Sequence, residues 1–173
     1  DSLPDKFVDC LLTYEDKRFF YHPGIDPAAI FRAIRLNGKA GRVVSGGSTL
    51  TMQLARIARG NQDRTFYEKT IEMCWALFLE TTHSKQEILN LYASHAPFGG
   101  NVIGLETAAW RYFGRSASEL SWAESATLAV LPNSPALMHP GRKVYWTKPN
   151  TSWPAWSHFP KPLSLYLMMP LTC

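Results

Sequence analysis

The sequence predicts a mainly α domain, on three observations. Apolar residues recur with helical spacing along most of the chain, and the alternation typical of strands is nearly missing. Two capping boxes, Ser84-x-x-Glu87 and Ser121-x-x-Glu124, mark helix starts at which serine and glutamate satisfy each other's backbone N–H groups. At 173 residues and 46% hydrophobic composition, the chain can enclose one core.

Pro4 suits a first helical turn, with Phe7, Val8, Leu11 and Leu12 on one apolar face. Asp26-Pro27 reads as an N-cap and first helical position, and Gly38 as the stop of a helix carrying Ile30, Ala33 and Ile34. Residues 37–47, rich in basic residues and glycine, read as a flexible connection bordering a site. Ser48 or Thr49 caps the next helix. Asp63 caps a long one ending near Thr81, apolar from Ile71 to Leu79 except at Glu72, and therefore expected to be buried on all sides. The first capping box opens a helix through Tyr92, a short helix covers Ile103 to Tyr112, and the second box opens Ala123 to Leu131.

Charge is uneven. The net charge is only +4, yet the stretch from Glu15 to Gly60 holds eight Lys/Arg against three acids. Such a basic half suits an anionic lipid surface or a pyrophosphate, and no nucleic-acid-binding motif accompanies it. Cys10, Cys74 and Cys173 are an odd set without C-x-x-C spacing, so neither a disulfide framework nor a zinc site is signalled, and Cys74 reads as an inert core residue. The histidines show no metal-ligand spacing, and no apolar run approaches ~20 residues, the length of a membrane span.

Two stretches carry chemistry. In Glu15-Asp16-Lys17-Arg18-Phe19-Phe20-Tyr21-His22-Pro23-Gly24 a carboxylate heads an aromatic cluster, where desolvation can make it a usable base. In Ser45-Gly46-Gly47-Ser48-Thr49-Leu50-Thr51-Met52-Gln53-Leu54 a glycine turn opens onto a capped helix start, whose N–H groups suit an anion. A base and an anion cradle together point to transfer chemistry with a phosphate leaving group. Gly41-x-x-x-x-Gly46-Gly47-Ser48 nearly spells a P-loop, but Gly47 stands where the lysine is needed and no buried strand precedes it.

These stretches resemble the Glu-Asp-x-x-Phe-x-x-His-x-Gly and Gly-Gly-Ser-Thr-x-x-x-Gln-Leu motifs of the peptidoglycan glycosyltransferase domain of bifunctional class A penicillin-binding proteins. Arg64-Thr65, Lys69-x-x-Glu72, Ala76-x-x-Leu79-Glu80 and Ser84-Lys85-x-x-Ile88-Leu89-x-x-Tyr92 extend the likeness. Ala96-Pro97-Phe98-Gly99-Gly100, which looks most like the 1C-type subgroup, Tyr112-Phe113-Gly114 and Leu131-Pro132-Asn133-Ser134-Pro135 complete it. The resemblance implies a lysozyme-like glycosyltransferase domain over residues 1–142 with a small second lobe, from Pro27 to Val44. Residues 143–173 match nothing in the family; they hold five prolines, three tryptophans and no acid, and form a separate tail.

By that resemblance Glu15 is the catalytic base, Glu72 positions the donor directly or through a metal or water, and Lys69 lies beside the diphosphate. Ser48, Thr49, Gln53, Arg56 and Lys85 join the substrate-binding set. Asp16 and His22 are expected to hold structure. Three departures stand out: Arg56 and Glu68 where relatives more often have lysine and a basic residue, and Met52 in place of a glutamine. The resemblance further implies lipid II and a growing glycan strand as substrates, a membrane surface and cell-wall synthesis proteins as partners, and no obligatory cofactor. It leaves room for a magnesium or manganese ion near the pyrophosphate. The place of action is the outer face of the bacterial cytoplasmic membrane, with the family's anchor helix absent from the fourteen residues before Glu15. Against this stand a lysozyme-like muralytic hydrolase and a non-catalytic glycan-binding or scaffold fragment.

Overall fold

The computed structural model describes residues 2–41, 46–60 and 65–133. Seven α-helices occur among them: α1 Asp5–Glu15, α2 Pro27–Ala40, α3 Leu50–Ala58, α4 Phe66–Thr82, α5 Lys85–His95, α6 Leu105–Phe113 and α7 Trp122–Val130. Short 3-10 turns lie at Phe19–Tyr21, Ala117–Glu119 and Leu131–Asn133. The β-structure among the described residues is one isolated bridge, Pro97 to Ile103. The mainly α class follows directly.

Local signals place most of the helix ends. Asp26 caps α2 by accepting from the N–H groups of Ala28 and Ala29, at 3.0 and 3.1 Å, with Pro27 in the first turn. Thr49 caps α3 through Met52 N–H, and both capping boxes form, at Ser84 and Glu87 and at Ser121 and Glu124. Two expected ends differ. The second helix does not stop at Gly38 but continues to Ala40 and ends at Gly41, whose φ of 62° gives the left-handed cap that releases the chain. A glycine inside a helix costs only ~1 kcal/mol, so it does not by itself terminate one. The long helix is capped by Thr65, which accepts from Glu68 N–H; Asp63, the expected cap, lies outside the described residues. So does the tail from Lys143 to Cys173.

The chain forms two compact units: Asp1–Tyr14 with Ala93–Cys173, and Glu15–Tyr92. In the first, α1 buries Phe7, Cys10 and Leu11, and the Phe7 and Phe98 rings pack with centroids 6.3 Å apart. Lys6 Nζ donates to the carbonyl of Leu120 at 3.0 Å, and the Tyr112 phenol to that of Phe98 at 2.9 Å. Gly104 turns the chain into α6 with φ of 87°; a Cβ there would lie 2.9 Å from the Ser94 carbonyl oxygen. Burial, with the Asp9 charge adding, pushes the Cys10 thiol up to about 12, which leaves it an inert core group.

In the second unit α3 packs against α4. Its buried apolar residues include Phe19, Leu50, Met52, Leu54, Ala76, Ile88, Leu89 and Tyr92. The second helix, α2, lies wholly within this unit, where the sequence suggested a lobe over 27–44; residues 42–45 lie outside the description. The expectation that the Ile71–Leu79 run is buried all round fails. Glu72 and Ala76 are buried on one face, whereas Trp75 and Phe78 are 46% and 55% exposed and Cys74 is exposed. A run apolar on all sides reads alike for a central helix and for a surface helix with an exposed apolar patch. Cys74 is therefore not a core residue.

Candidate active site

Glu15 closes α1, and Asp16 follows it into the turn of the first motif. A helix-end carboxylate faces the negative end of the helix dipole, so its anion needs a donor. Gln53 on α3 supplies one: its Nε2 donates to Glu15 Oε2 at 2.8 Å. The Gln53 amide oxygen accepts from the Tyr92 phenol at 3.3 Å.

Three residues further along α3, and so on the same helix face, stands Arg56. Its Nε lies 3.7 Å from Glu72 Oε1. Lys69, one turn before Glu72 on α4, donates to Glu72 Oε2 at 2.8 Å and to the Ser48 hydroxyl at 2.6 Å. Glu72 is only 5% exposed, so two cations compensate a carboxylate that would be costly to bury alone. Lys69 keeps 39% of its side chain exposed and Arg56 21%, which leaves positive charge open to solvent. Glu72, Lys69 and Arg56 thus form one ion-pair cluster with its cations partly exposed. Glu15, Gln53, Arg56, Ser48, Lys69 and Glu72 all fall in the unit of residues 15–92.

Two residues expected to bind substrate are engaged within the fold. Thr49 is 2% exposed; its hydroxyl donates to the Gly24 carbonyl and accepts from Met52 N–H. Lys85 donates to the His22 carbonyl at 2.6 Å and to Glu80 Oε1 at 2.8 Å, with its ammonium 4.4 Å from the Phe19 ring centroid. Its charge ties the first motif to α5. The resemblance identified both residues as parts of the motifs but carried no information on which way they face.

The anion expected at the start of α3 is provided by the protein itself. Leu50 N–H donates to Asp16 Oδ2 at 3.0 Å, and His22 Nε2 lies 3.0 Å from both Asp16 oxygens. Asp16 and His22 are both buried, so the aspartate joins the turn of the first motif to the second. Gly24 completes the joint: with φ of 85°, a Cβ there would meet the Ala76 carbonyl oxygen at 2.7 Å. Of the aromatic cluster, only Phe19 is buried; Phe20 and Tyr21 are 57% and 87% exposed. A 3-10 turn sets successive residues about 120° apart, so three in a row cannot share one wall.

The sequence departures also find places. Met52 is fully buried in the core, and Glu68 pairs with Arg59, drawing one positive charge away from the cluster. Arg18 grips Asp26 with two nitrogens. Burial works against the Asp26 anion, yet the Arg18 hydrogen bond, the Ala29 amide, the Arg18 charge and the Ala28 amide together hold its carboxyl below the usual range. A cavity of about 550 Å³ beside this pair, lined in part by Tyr21, His22, Ile25 and Leu77, includes none of the expected site residues. Among the described residues no group of three or more His, Cys, Asp or Glu is placed to hold a metal ion.

In class, this is a mainly α domain whose carboxylate and paired cations suit group transfer from an anionic leaving group. Residues 1–153 match the family described as Transglycosylase, a span that reaches beyond Arg142. The chain belongs to the transglycosylase family. It is 44% identical over 142 residues to penicillin-binding protein 1C of Escherichia coli (strain K12), covering 82% of this chain and 18% of that protein. Penicillin-binding protein 1A of Aquifex aeolicus is 41% identical over 140 residues, 81% of this chain and 19% of the relative. Penicillin-binding protein 1F of Bacillus subtilis is 36% identical over 146 residues, 82% and 20%. The chain spans about a fifth of the length of these relatives.

Proposed function

We propose that this chain is a peptidoglycan glycosyltransferase that polymerises lipid II, a lipid-linked disaccharide-peptide, into β-1,4 glycan strands. Glu15 takes the proton from the 4-hydroxyl of an N-acetylglucosamine on the acceptor. That oxygen attacks C1 of the N-acetylmuramic acid on the donor, the C1–oxygen bond to the lipid pyrophosphate breaks, and the configuration at C1 inverts. The pyrophosphate takes the bonding electrons, and Lys69 and Arg56 stabilise its charge, a role for which preorganised cations suffice without a proton donor. Glu72 holds the two cations in place, and Ser48 orients Lys69. The observation that carries this reading is the pair Gln53 and Arg56, which sets the Glu15 carboxylate and the Glu72 cation cluster on one face of α3.

A divalent ion fits this donor set poorly, because the carboxylate nearest the cations is already engaged by two of them. The exposed apolar residues Phe31 and Ile34 on α2, and Trp75 and Phe78 on α4, support a membrane surface as partner. Among the described residues no helix is long and apolar enough to cross a membrane. Action at the outer face of the cytoplasmic membrane, beside other cell-wall synthesis proteins, completes the proposal.

The test is incubation with lipid-linked disaccharide-pentapeptide, separating polymer from monomer, alongside incubation with mature glycan strands. Polymer and free lipid pyrophosphate from the first, and no muropeptides from the second, support the reading. Strand cleavage without polymerisation identifies a muralytic hydrolase, and a folded chain with neither activity a glycan-binding scaffold.

A further inference from the structure

One fully buried polar group beside the site has no part in the proposed reaction. Tyr92, on α5, is 0% exposed, and its phenol donates to Gln53 Oε1 at 3.3 Å, while Gln53 Nε2 donates to Glu15 Oε2 at 2.8 Å. Burial pushes the phenol far above its ordinary range, the Glu15 charge adds to the rise and Arg56 opposes it. Tyr92 therefore keeps its proton at any working pH and remains a donor.

We infer that Tyr92 is a positioning residue for Glu15: by donating to the Gln53 amide oxygen it fixes that amide with its N–H toward the carboxylate. The inference rests on the reading of Glu15 as the base. An ionised carboxylate only accepts hydrogen bonds, whereas a primary amide has one accepting and one donating end. Reversing Gln53 would set its oxygen 2.8 Å from Glu15 Oε2, acceptor against acceptor, and would leave the phenolic hydrogen without the acceptor it has among the described residues. A protonated Glu15 tolerates either orientation, because its hydroxyl can donate to the reversed amide. The orientation that Tyr92 selects is thus the one that serves the ionised base. At 3.3 Å its bond is long for O–H···O, so the effect is a bias and not an absolute requirement.

Tyr92→Phe keeps the packed ring and removes only the donor. The Glu15 carboxyl can be followed by carbon NMR, its signal identified by its absence in Glu15→Gln. In Tyr92→Phe its titration midpoint should rise, and the acidic limb of the polymerisation pH profile should move up with it. Below the midpoint kcat should fall about two- to tenfold, the worth of one ordinary hydrogen bond, with KM unchanged. In a Gln53→Leu background Tyr92→Phe should leave the midpoint where it is, since the bias acts through the amide. Tyr92→3-fluorotyrosine, a stronger donor of nearly the same size, should lower the midpoint, and it serves alone if Tyr92→Phe does not fold. An unmoved midpoint in either Tyr92 variant, or a shift that persists in Gln53→Leu, overturns the inference. Should Glu15→Gln remain fully active, the base assignment fails, yet the carboxyl titration still decides for or against Tyr92.

Discussion

Gln53 Nε2 donates to Glu15 Oε2 at 2.8 Å, joining the second motif to the first residue of the first motif. The two positions are far apart in sequence, and the end of α1 is unfavourable ground for an anion. The amide makes that position workable for a base. Its neighbour by one helical turn, Arg56, reaches Glu72, so one face of α3 serves both ends of the proposed transfer.

Glu72→Gln keeps the size of the side chain but removes the charge between Lys69 and Arg56. Two cations would then sit together without their shared anion, at a cost of about 1–3 kcal/mol in stability. Polymerisation should fall at least tenfold as the cations lose their places. Thermal melting with a turnover assay reads both, and wild-type values in the two would remove Glu72 from the site.

Lys85→Met should act on stability and not on substrate binding. It removes the hydrogen bonds to Glu80 and the His22 carbonyl, while the Thr51 hydroxyl, 2.7 Å away, still donates to Glu80. A loss of about 2 kcal/mol corresponds to a fall in Tm of roughly 4–8 °C. A raised KM for lipid-linked donor with unchanged Tm would return Lys85 to the binding set.

The contrast between Lys85 and Lys69 marks what the sequence made legible. Both are motif lysines, and the family resemblance assigned both to the substrate. Helix periodicity located α4 and α5 but could not tell that Lys69 points to Ser48 and Glu72 while Lys85 points back to the first motif. Caps read well, at Asp26, Thr49, Ser84 and Ser121, because capping is a local bond between near neighbours. Burial read less well. The apolar run around Trp75 and Phe78 carries no mark of the side left open, since that depends on the tertiary partners of α4. Tyr92 went unassigned because a tyrosine among Ile88, Leu89 and Ala93 reads as core, and its hydroxyl partner on α3 is set by tertiary packing.

Arg18→Gln tests the pH dependence of the fold. The Asp26 carboxyl titrates below its usual value of 3.8 in the folded protein, so its contribution is present above that pH and is lost as pH falls through the lowered value. The Arg18 side chain is 48% exposed, and solvent limits the pair to roughly 0.5–1 kcal/mol. Denaturant melts should show Arg18→Gln less stable by that amount at pH 7, with the difference vanishing at strongly acidic pH. A difference that grows on acidification would contradict the assignment.

For the tail we propose a boundary near Arg142. Its prolines at positions 149, 154, 160, 162 and 170 interrupt any helix, so deletion of residues 143–173 should leave Tm and the Glu15 environment unchanged. A large fall in Tm would make the segment part of the core and move the boundary, in keeping with a family match that runs to residue 153.

The central claim is that Glu15 removes the acceptor's proton, and Glu15→Gln tests it most directly. Glutamine keeps the size of the side chain and a hydrogen bond with Gln53, but it cannot take up the proton. Loss of a general base costs about 10²–10⁴ in rate. Polymerisation of lipid-linked precursor should fall by that factor while the variant still binds the donor with wild-type affinity. Turnover near wild type in folded Glu15→Gln would contradict the account.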